Sequence, residues 1–323
     1  MVRCEKLGVV LRPEKSSQAK FNPGMVDASG EIHVLYRFCE KRKELDGKAI
    51  DWSSAAAQGE FPYVVNHIRH ATLNEDGSLR KDDDAAVIFP EHPWEALGCE
   101  DARIVPFGGS WYIFYCAYDG RKARQGIAQT LDFRRYEKIG IIDNVAFDKD
   151  AFIFPERIDG RIAYMHRIAP NIQIDYFDDL EQMLDPARWN DYEARVEQST
   201  VLRCRFPFDA TRVGGGVPPI RTERGWLLIY HGVDAGRIYH AGAALLDLGN
   251  PSRVTARLPY PILSPEADYE MRGDYEGCVF PQGHFIRDGG LYISYGAADM
   301  YAAVARIDLE SLLNELGRHP FDA

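Results

Sequence analysis

One layout recurs five times along this chain of 323 residues. In each copy a short strand-like segment leads into a turn that contains a glycine, and an aromatic-rich segment follows and ends on a charged or polar residue. The turn glycines are Gly30, Gly109, Gly160, Gly225 and Gly290, about 65 residues apart on average. Self-similarity at a fixed period indicates a repeat architecture, so this pattern constrains the fold more than any other feature of the sequence.

A third segment follows each aromatic one and is apolar or alternating, as in residues 126–130, 242–246 and 302–307. Five copies of a three- or four-stranded unit with few helices predict an all-β fold, a five-bladed β-propeller, because radial closure leaves few exposed sheet edges. The alternative, a pair of β-sandwiches, does not explain why polar residues recur at matched points of all five units. We therefore expect residues 1–323 to form one propeller domain.

The repeat is longer than the ~40–50 residues of common propeller repeats, which predicts long connecting loops. Two candidates are an insertion at 40–61 and a partly helical connection at 178–203. Residues 308–317 form a clear helical pattern, which Asp308 begins as an N-cap and Gly317 ends. The predicted architecture is thus a propeller with loop insertions and a short C-terminal helix.

The polar ends of the repeated segments predict a functional site. If the copies are blades of one closed ring, these ends converge on one axis and gather Asp, Arg, Lys and His in a single funnel. Such a cluster is costly to bury unless it has a function, so the funnel is the candidate binding or catalytic site.

The overall charge limits the classes of partner. The formal net charge is −11, whereas a surface that binds DNA or RNA is normally basic, so nucleic-acid partners are not expected. An acidic protein that gathers cations in one funnel is instead expected to meet a small anion there. The six cysteines form no CxxC pair and no zinc spacing, and no segment is apolar for long enough to span a membrane. These features predict a cytoplasmic protein with reduced thiols and no metal site.

The sharpest local motif is GCEDARI at residues 98–104. Because side chains alternate along a strand, Glu100 and Asp101 are expected to face opposite ways, while Asp101 and Arg103 share a face. One acid then points into the funnel and the other makes structural bonds. From the spacing alone, an exposed turn that carries a local salt bridge is the better explanation of this motif.

With its companions, this motif resembles the mannoside phosphorylases of glycoside hydrolase family 130. The resemblance runs in the family's order from Phe21 to Asp299, over nearly the whole chain. The segments that carry it are 98–104 (GCEDARI), 149–158 (KDAFIFPERI), 166–167 (HR), 214–220 (GGGVPPI), 225–233 (GWLLIYHGV) and 295–299 (YGAAD).

The resemblance implies a five-bladed propeller and assigns roles to its residues. Asp101 is implied as the general acid, which passes its proton to the glycosidic oxygen through the 3-hydroxyl of the bound mannose. Inorganic phosphate, the co-substrate, is implied to attack the opposite face and to give α-mannose 1-phosphate with inversion. The implied phosphate contacts are Lys149, Arg167, Arg212, His231 and Tyr239. The implied substrate contacts are Asn22, Arg37, Asp101, Phe280 and Asp299, with Arg69 as a candidate for a further mannose-binding arginine.

The chemistry of these residue types agrees with that reading. An inverting glycosidase needs an acid and, ~6.5–9.5 Å away, a carboxylate that activates water. Phosphate is already nucleophilic, so a phosphorylase replaces the second carboxylate with cations that position it and compensate its charge. Taken singly, each residue has a structural alternative: a buried histidine bonded to backbone, an arginine in a surface ion pair, Lys149 between two aspartates, or Asp299 as a turn cap.

Some positions depart from the family pattern. Ala102 stands where the family usually has proline, Pro23 stands where many members have a small polar residue, and Lys149 and Arg212 occupy places where other members exchange Lys and Arg. The alternatives are a β-mannosidase of the same family, a non-catalytic glycan-binding propeller, and a furanosidase of another five-bladed family. We expect a β-mannoside oligosaccharide and phosphate as partners, no other cofactor, and a possible homo-oligomer built on the helical insertions.

Overall fold

The computed structural model describes residues 1–40, 66–144 and 147–321. Five small antiparallel sheets are arranged as the blades of a β-propeller, so the predicted fold class is confirmed. The predicted insertion at 40–61 lies almost entirely outside the described residues. Across the described ranges, no helix is long and apolar enough to cross a membrane.

The blades follow one another along the chain, and the strands are numbered in chain order. A first strand, β1 (Glu5–Leu11), precedes the first blade. Blade 1 contains β2 (Gln18–Ala28), β3 (Glu31–Glu40), β4 (His67–Leu73) and β5 (Leu79–Ile88). Blade 2 contains β6 (Gly98–Phe107), β7 (Ser110–Tyr118), β8 (Ala123–Thr130) and β9 (Glu137–Ile142). Blade 3 contains β10 (Asp148–Ile153), β11 (Ile162–Ile168), β12 (Ile172–Phe177) and β13 (Thr200–Leu202).

The last two blades vary this plan. Blade 4 contains β14 (Arg212–Gly215), β16 (Gly225–Val233), β17 (Tyr239–Leu246) and β18 (Val254–Arg257), and the short β15 (Ile220–Thr222) also pairs with β16. Blade 5 contains β19 (Val279–Arg287), β20 (Gly290–Ala297) and β21 (Tyr301–Asp308). Strand β1 is its fourth strand and pairs antiparallel with β21, with Glu5 opposite Arg306. The two ends of the described chain therefore close the ring together.

The ring is packed through apolar contacts between neighbouring blades. The small residues of the third strands, among them Ala128, Ala243 and Ala303, are completely buried. In the core between blades 4 and 5, Ala243 and Ala303 share one cluster with Tyr295 and Leu227. Small side chains there let adjacent sheets approach closely, as the sequence pattern predicts.

The helices lie in the connections and at the end of the chain. The predicted helical character of 178–203 is confirmed by α1 (Leu180–Leu184), α2 (Tyr192–Arg195) and the 3₁₀ turns Pro186–Trp189 and Val196–Ser199. Further short elements are α3 (Asp268–Met271) and the 3₁₀ turns Pro93–Glu95 and Pro207–Asp209. The predicted C-terminal helix is α4 (Leu309–Gly317), and the Asp308 carboxylate accepts from the Ser311 N–H as its N-cap.

Candidate active site

The first strands of blades 1, 2 and 3 carry matching irregularities that build the site. Asn22, Asp101 and Asp150 each adopt a positive φ, of 48°, 58° and 59°. A β-bulge of this kind re-aims a side chain, and Asn and Asp tolerate the left-handed region better than most residues. The register skips lie between Phe21 and Gly24 in β2, between Glu100 and Arg103 in β6, and between Lys149 and Phe152 in β10.

These side chains meet in one cavity of about 230 Å³ at the hub of the propeller. Nine of the eleven predicted site residues line it. The cavity is lined by Asn22, Arg37, Asp101, Phe147, Lys149, Asp150, Arg167, Arg212, Tyr239, Tyr275, Cys278, Phe280 and Asp299. The convergence of strand ends that the repeat predicts is therefore observed.

One side of the cavity is acidic and is held by an arginine. Asp101 Oδ1 accepts from Asn22 Nδ2 at 2.8 Å and from Arg37 Nη1 at 3.3 Å. The same guanidinium lies 2.9 Å from Glu100 Oε1 through Nη2. The prediction that the two adjacent acids face opposite ways is wrong, because the bulge at Asp101 breaks the alternation and both acids reach Arg37.

The two carboxyls on this side have opposite pKa shifts. Burial raises the pKa of Asp101, but Arg37 and Lys149 outweigh it and hold that pKa below its ordinary value. Burial also raises the pKa of Asp299, to about 6, because Arg37 only partly offsets it and the charge of Asp101 adds to it. Neighbouring carboxyls whose pKa values are driven apart are typical of sites that handle protons.

The other side of the cavity is cationic. Arg167 forms a two-point contact with Asp150 Oδ2, through Nε at 2.8 Å and Nη2 at 2.7 Å. Lys149 Nζ lies 3.7 Å from Glu100 Oε2. Arg212 donates to the Tyr239 hydroxyl, and within the described ranges it forms no ion pair and its buried Nε has no hydrogen-bond partner. A guanidinium that lines a cavity and has no carboxylate partner is suited to bind an anion.

His231 supports this cationic side without lining the cavity. Its ring packs on Phe280 and Tyr239, with centroid distances of 4.7 and 5.6 Å, and its Nε2 lies 3.8 Å from Asp150 Oδ2. Burial lowers the pKa of His231 to about 3, since the attraction of Asp150 is smaller than the cost of desolvation. The imidazole is therefore neutral at physiological pH.

Comparisons with known proteins show to which family the chain belongs. A family model described as beta-1,4-mannooligosaccharide phosphorylase, of glycoside hydrolase family 130, matches residues 61–318. The chain belongs to glycoside hydrolase family 130. It is 31% identical over 321 residues to a 1,2-beta-oligomannan phosphorylase of Thermoanaerobacter sp., covering 97% of this chain and 99% of that protein.

A second family member is similar in both sequence and structure. The chain is 31% identical over 330 residues to a beta-1,2-mannobiose phosphorylase of Listeria innocua, covering 92% of this chain and 90% of that protein. A solved structure of a Listeria innocua beta-1,2-mannobiose phosphorylase, in complex with beta-1,2-mannobiose, has a TM-score of 0.82 to this chain at 28% identity. The superposition covers 97% of each chain.

The position of Arg69 differs from the one expected of a mannose-binding residue. Arg69 is not among the residues that line the cavity. It lies on β4, the third strand of its blade, where its guanidinium stacks 3.5 Å from the Phe38 ring centroid and pairs with Asp84. Its side chain is engaged within its own blade, so the cavity lining gives no support to the assignment of Arg69 to mannose, which stays a prediction.

Other residues of this family 130 site were not anticipated. Asp150 contacts Arg167 and Arg103, yet in the sequence it was considered only as a neighbour of Lys149. Its signal was available, because Asn22, Asp101 and Asp150 hold the same place in three successive copies of the repeat. Phe147 and Tyr275 also line the cavity, and they come from connections that have no counterpart in the repeat.

The site also bears on metals. Throughout the described residues, no group of three or more His, Cys, Asp or Glu side chains is placed to hold a metal ion.

Ala102, which replaces the usual proline of the family motif, is fully buried within the bulge of β6. Its two neighbours in the motif, Asp101 and Arg103, remain at the hub.

Proposed function

We propose that the chain is an inverting β-mannoside phosphorylase that cleaves a β-mannosidic bond with inorganic phosphate and releases α-mannose 1-phosphate. The observation that carries this proposal is that the buried carboxyl of Asp101 shares one cavity with Lys149, Arg167 and Arg212. Arg212 is decisive among them, since no described carboxylate neutralises it. A hydrolase does not need an unpaired cation at this place.

The general acid in this proposal is Asp101. In the free protein Arg37 and Lys149 keep its pKa low, so it is ionised at neutral pH. A phosphate dianion beside Lys149 offsets that cation, and its own negative charge further disfavours ionisation of the nearby carboxyl. We therefore expect phosphate binding to raise the pKa of Asp101, so that the acid is protonated when the leaving group needs a proton.

The nucleophile is phosphate, held by Lys149, Arg167 and Arg212 with the Tyr239 hydroxyl. Arg167 is fixed by its two-point contact with Asp150, so that its remaining donors are pre-oriented toward a ligand. Positioning and charge compensation are the contributions that a weakly basic oxyanion needs. His231 acts behind this surface as a neutral packing partner of Tyr239 and Phe280.

The sugar lies on the acidic side, against Asn22, Arg37, Asp299 and Phe280. Carboxylate, amide and guanidinium groups supply the fixed hydrogen bonds that orient a pyranose. The substrate class is a β-linked mannoside, and both β-1,2 and β-1,4 linkages are candidates. Three phosphorylases that match over more than nine-tenths of this chain carry β-1,2 names, which makes β-1,2-mannobiose the first substrate to test.

The main alternative is a β-mannosidase of the same family. Hydrolysis needs a second carboxylate free to activate water across the sugar from the acid. Asp150 is engaged by Arg103 and Arg167, which hold its pKa well below the usual range against the effect of burial. The charges of Arg37 and Asp101 both shift the pKa of Asp299, so this carboxyl lies on the same side of the cavity as the acid. Neither carboxylate is suited to the role of the base.

A phosphate-dependence experiment separates these functions. The protein is incubated with β-1,2-mannobiose, or with β-1,4-mannobiose, in buffer with and without inorganic phosphate, and mannose and mannose 1-phosphate are quantified. The proposal expects mannose 1-phosphate to form in amounts equal to the released mannose, and only with phosphate. Equal release of free mannose in both buffers would identify a hydrolase, and no cleavage under either condition would favour a glycan-binding protein.

A further inference from the structure

Arg103 lies at the centre of the hub, although it does not line the cavity. It is 2% exposed, and all five of its N–H groups have acceptors. Because the five donors of an arginine form a rigid planar fork, a guanidinium with every donor satisfied is held in both position and orientation. The acceptors are the carbonyls of Asp101 (2.9 Å), Gly215 (3.1 Å) and Gly216 (3.4 Å), Asp150 Oδ1 (3.1 Å) and the Gln282 amide oxygen (3.2 Å), with that amide oriented so that its oxygen and nitrogen both have partners.

These acceptors come from four blades. Asp101 belongs to blade 2, Asp150 to blade 3, the two glycines to blade 4 and Gln282 to blade 5. Blade 1 joins the same network, because the Gln282 amide also donates to the carbonyl of Asn22. One guanidinium thus connects the first strands of all the blades around the axis, four of them directly.

The sequence is adapted to this close approach. A Cβ on Gly215 would lie 2.5 Å from the Asp150 carbonyl oxygen, and a Cβ on Gly216 would lie 2.7 Å from the Ile229 carbonyl oxygen. Real Cβ atoms do not approach backbone so closely, so the glycine run 214–216 is required for the carbonyls to reach Arg103. This accounts for a glycine run that the catalytic residues alone do not explain.

Arg103 also links the acidic and the cationic sides of the cavity directly. Through the Asp101 carbonyl it holds the bulge that aims the acid. Through Asp150 Oδ1 it holds the carboxylate whose other oxygen fixes Arg167. The separation between the acid and the phosphate site therefore depends on one rigid group that touches neither ligand.

We propose that Arg103 is a positioning residue that sets the distance and orientation of Asp101 relative to the phosphate-binding cations. This inference rests on the proposed function, since it assumes that these two groups act on one substrate. Its consequence is kinetic: loss of the fork displaces the acid, whereas Arg167 keeps its two contacts with Asp150 Oδ2, so that Lys149, Arg167 and Arg212 remain able to bind phosphate.

The test compares Arg103→Lys with a matched control, Arg257→Lys, in the full-length protein. Arg257 is also 2% exposed, and its guanidinium bonds to Tyr230 in blade 4 and to Asp209 and the Arg203 carbonyl in the connection that leads into it, none of which lines the cavity. Both variants keep the charge and lose the planar fork. Their melting temperatures, kcat values and KM values for phosphate and mannoside are then measured.

We expect both variants to melt at lower temperature and only Arg103→Lys to lose turnover. A displacement of about 1 Å in a reacting group costs about 100-fold in rate, so kcat should fall by about that factor. The phosphate KM should stay within about threefold, because the cations are intact. The control should keep kcat within about threefold of wild type.

Three results would overturn the inference: Arg103→Lys keeps kcat, the control loses as much kcat, or the loss is in phosphate KM alone. If Arg103→Lys does not fold, Gln282→Met removes one acceptor of the network, and we expect a lower kcat at unchanged phosphate KM; an unchanged kcat would contradict the inference. Failure of the proposed function is seen separately, in the phosphate dependence of the wild type. If that protein is a hydrolase, the variants are compared by hydrolysis rate, because acid placement matters there too.

Discussion

Removal of the Arg212 guanidinium is the sharpest test of the phosphate site. Arg212 contacts the Tyr239 hydroxyl and has no ion-pair partner within the described ranges, so its charge is available to a ligand. A hydrogen bond to a charged group contributes ~1.5–3 kcal/mol, and each 1.4 kcal/mol is a tenfold change in binding. Arg212→Ala should therefore raise the phosphate KM by about 10- to 100-fold.

The assay is the initial rate as a function of phosphate concentration at saturating mannoside. Arg212→Lys keeps the charge without the fork, so its phosphate KM should lie between wild type and Arg212→Ala. Arg221→Ala, an exposed arginine that pairs with Glu156, controls for loss of a surface charge and should change nothing. A raised mannoside KM with an unchanged phosphate KM in Arg212→Ala would refute the assignment.

Two further predictions concern the carboxyls. Asp101→Asn should lower kcat by about 10²–10⁴-fold at nearly unchanged melting temperature, because general acid catalysis contributes on that order; wild-type turnover in the variant would remove Asp101 from the role. Asp299 has a folded pKa near 6, above its ordinary value, so its contribution to stability is present at low pH and is lost as pH rises through about 6. In urea titrations, Asp299→Asn should therefore gain up to ~3 kcal/mol over wild type between pH 4 and pH 8, and a pH-independent difference would contradict the buried-carboxyl explanation.

The repeat predicted the propeller because each blade repeats a turn glycine and an aromatic strand, and these features are local. Strand β1 was not assigned, since a single seven-residue strand has no partner nearby in sequence and pairs with β21 across the whole chain. The alternation argument failed at Asp101 for a different reason. Strand periodicity does not hold at a bulge, and an Asp in the left-handed region is not visible in a sequence read alone.

Residues that line the cavity were predicted from the sequence where they stand at strand ends. They were missed where contacts between distant parts of the chain decide which side chains reach the cavity. Lys149, Arg167 and Arg212 follow from the repeat and the family resemblance together. Arg69 does not line the cavity, because its side chain contacts Phe38 and Asp84, which are its neighbours only in the folded blade. His231 packs against Tyr239 and Phe280, which line the cavity, but it does not line the cavity itself.

The closure of the ring by β1 has a consequence for the order of events during folding. Asn22 lies in the first blade and Asp299 in the last, and both line the cavity, whereas β1 joins β21 at the outer edge of the last blade. Pairing of segments so distant in the chain is slow, because a long loop must be closed before any contact rewards it. We therefore expect the sugar-binding half of the pocket to be assembled last, and enzymatic activity to return in refolding only after blades 2, 3 and 4 are native.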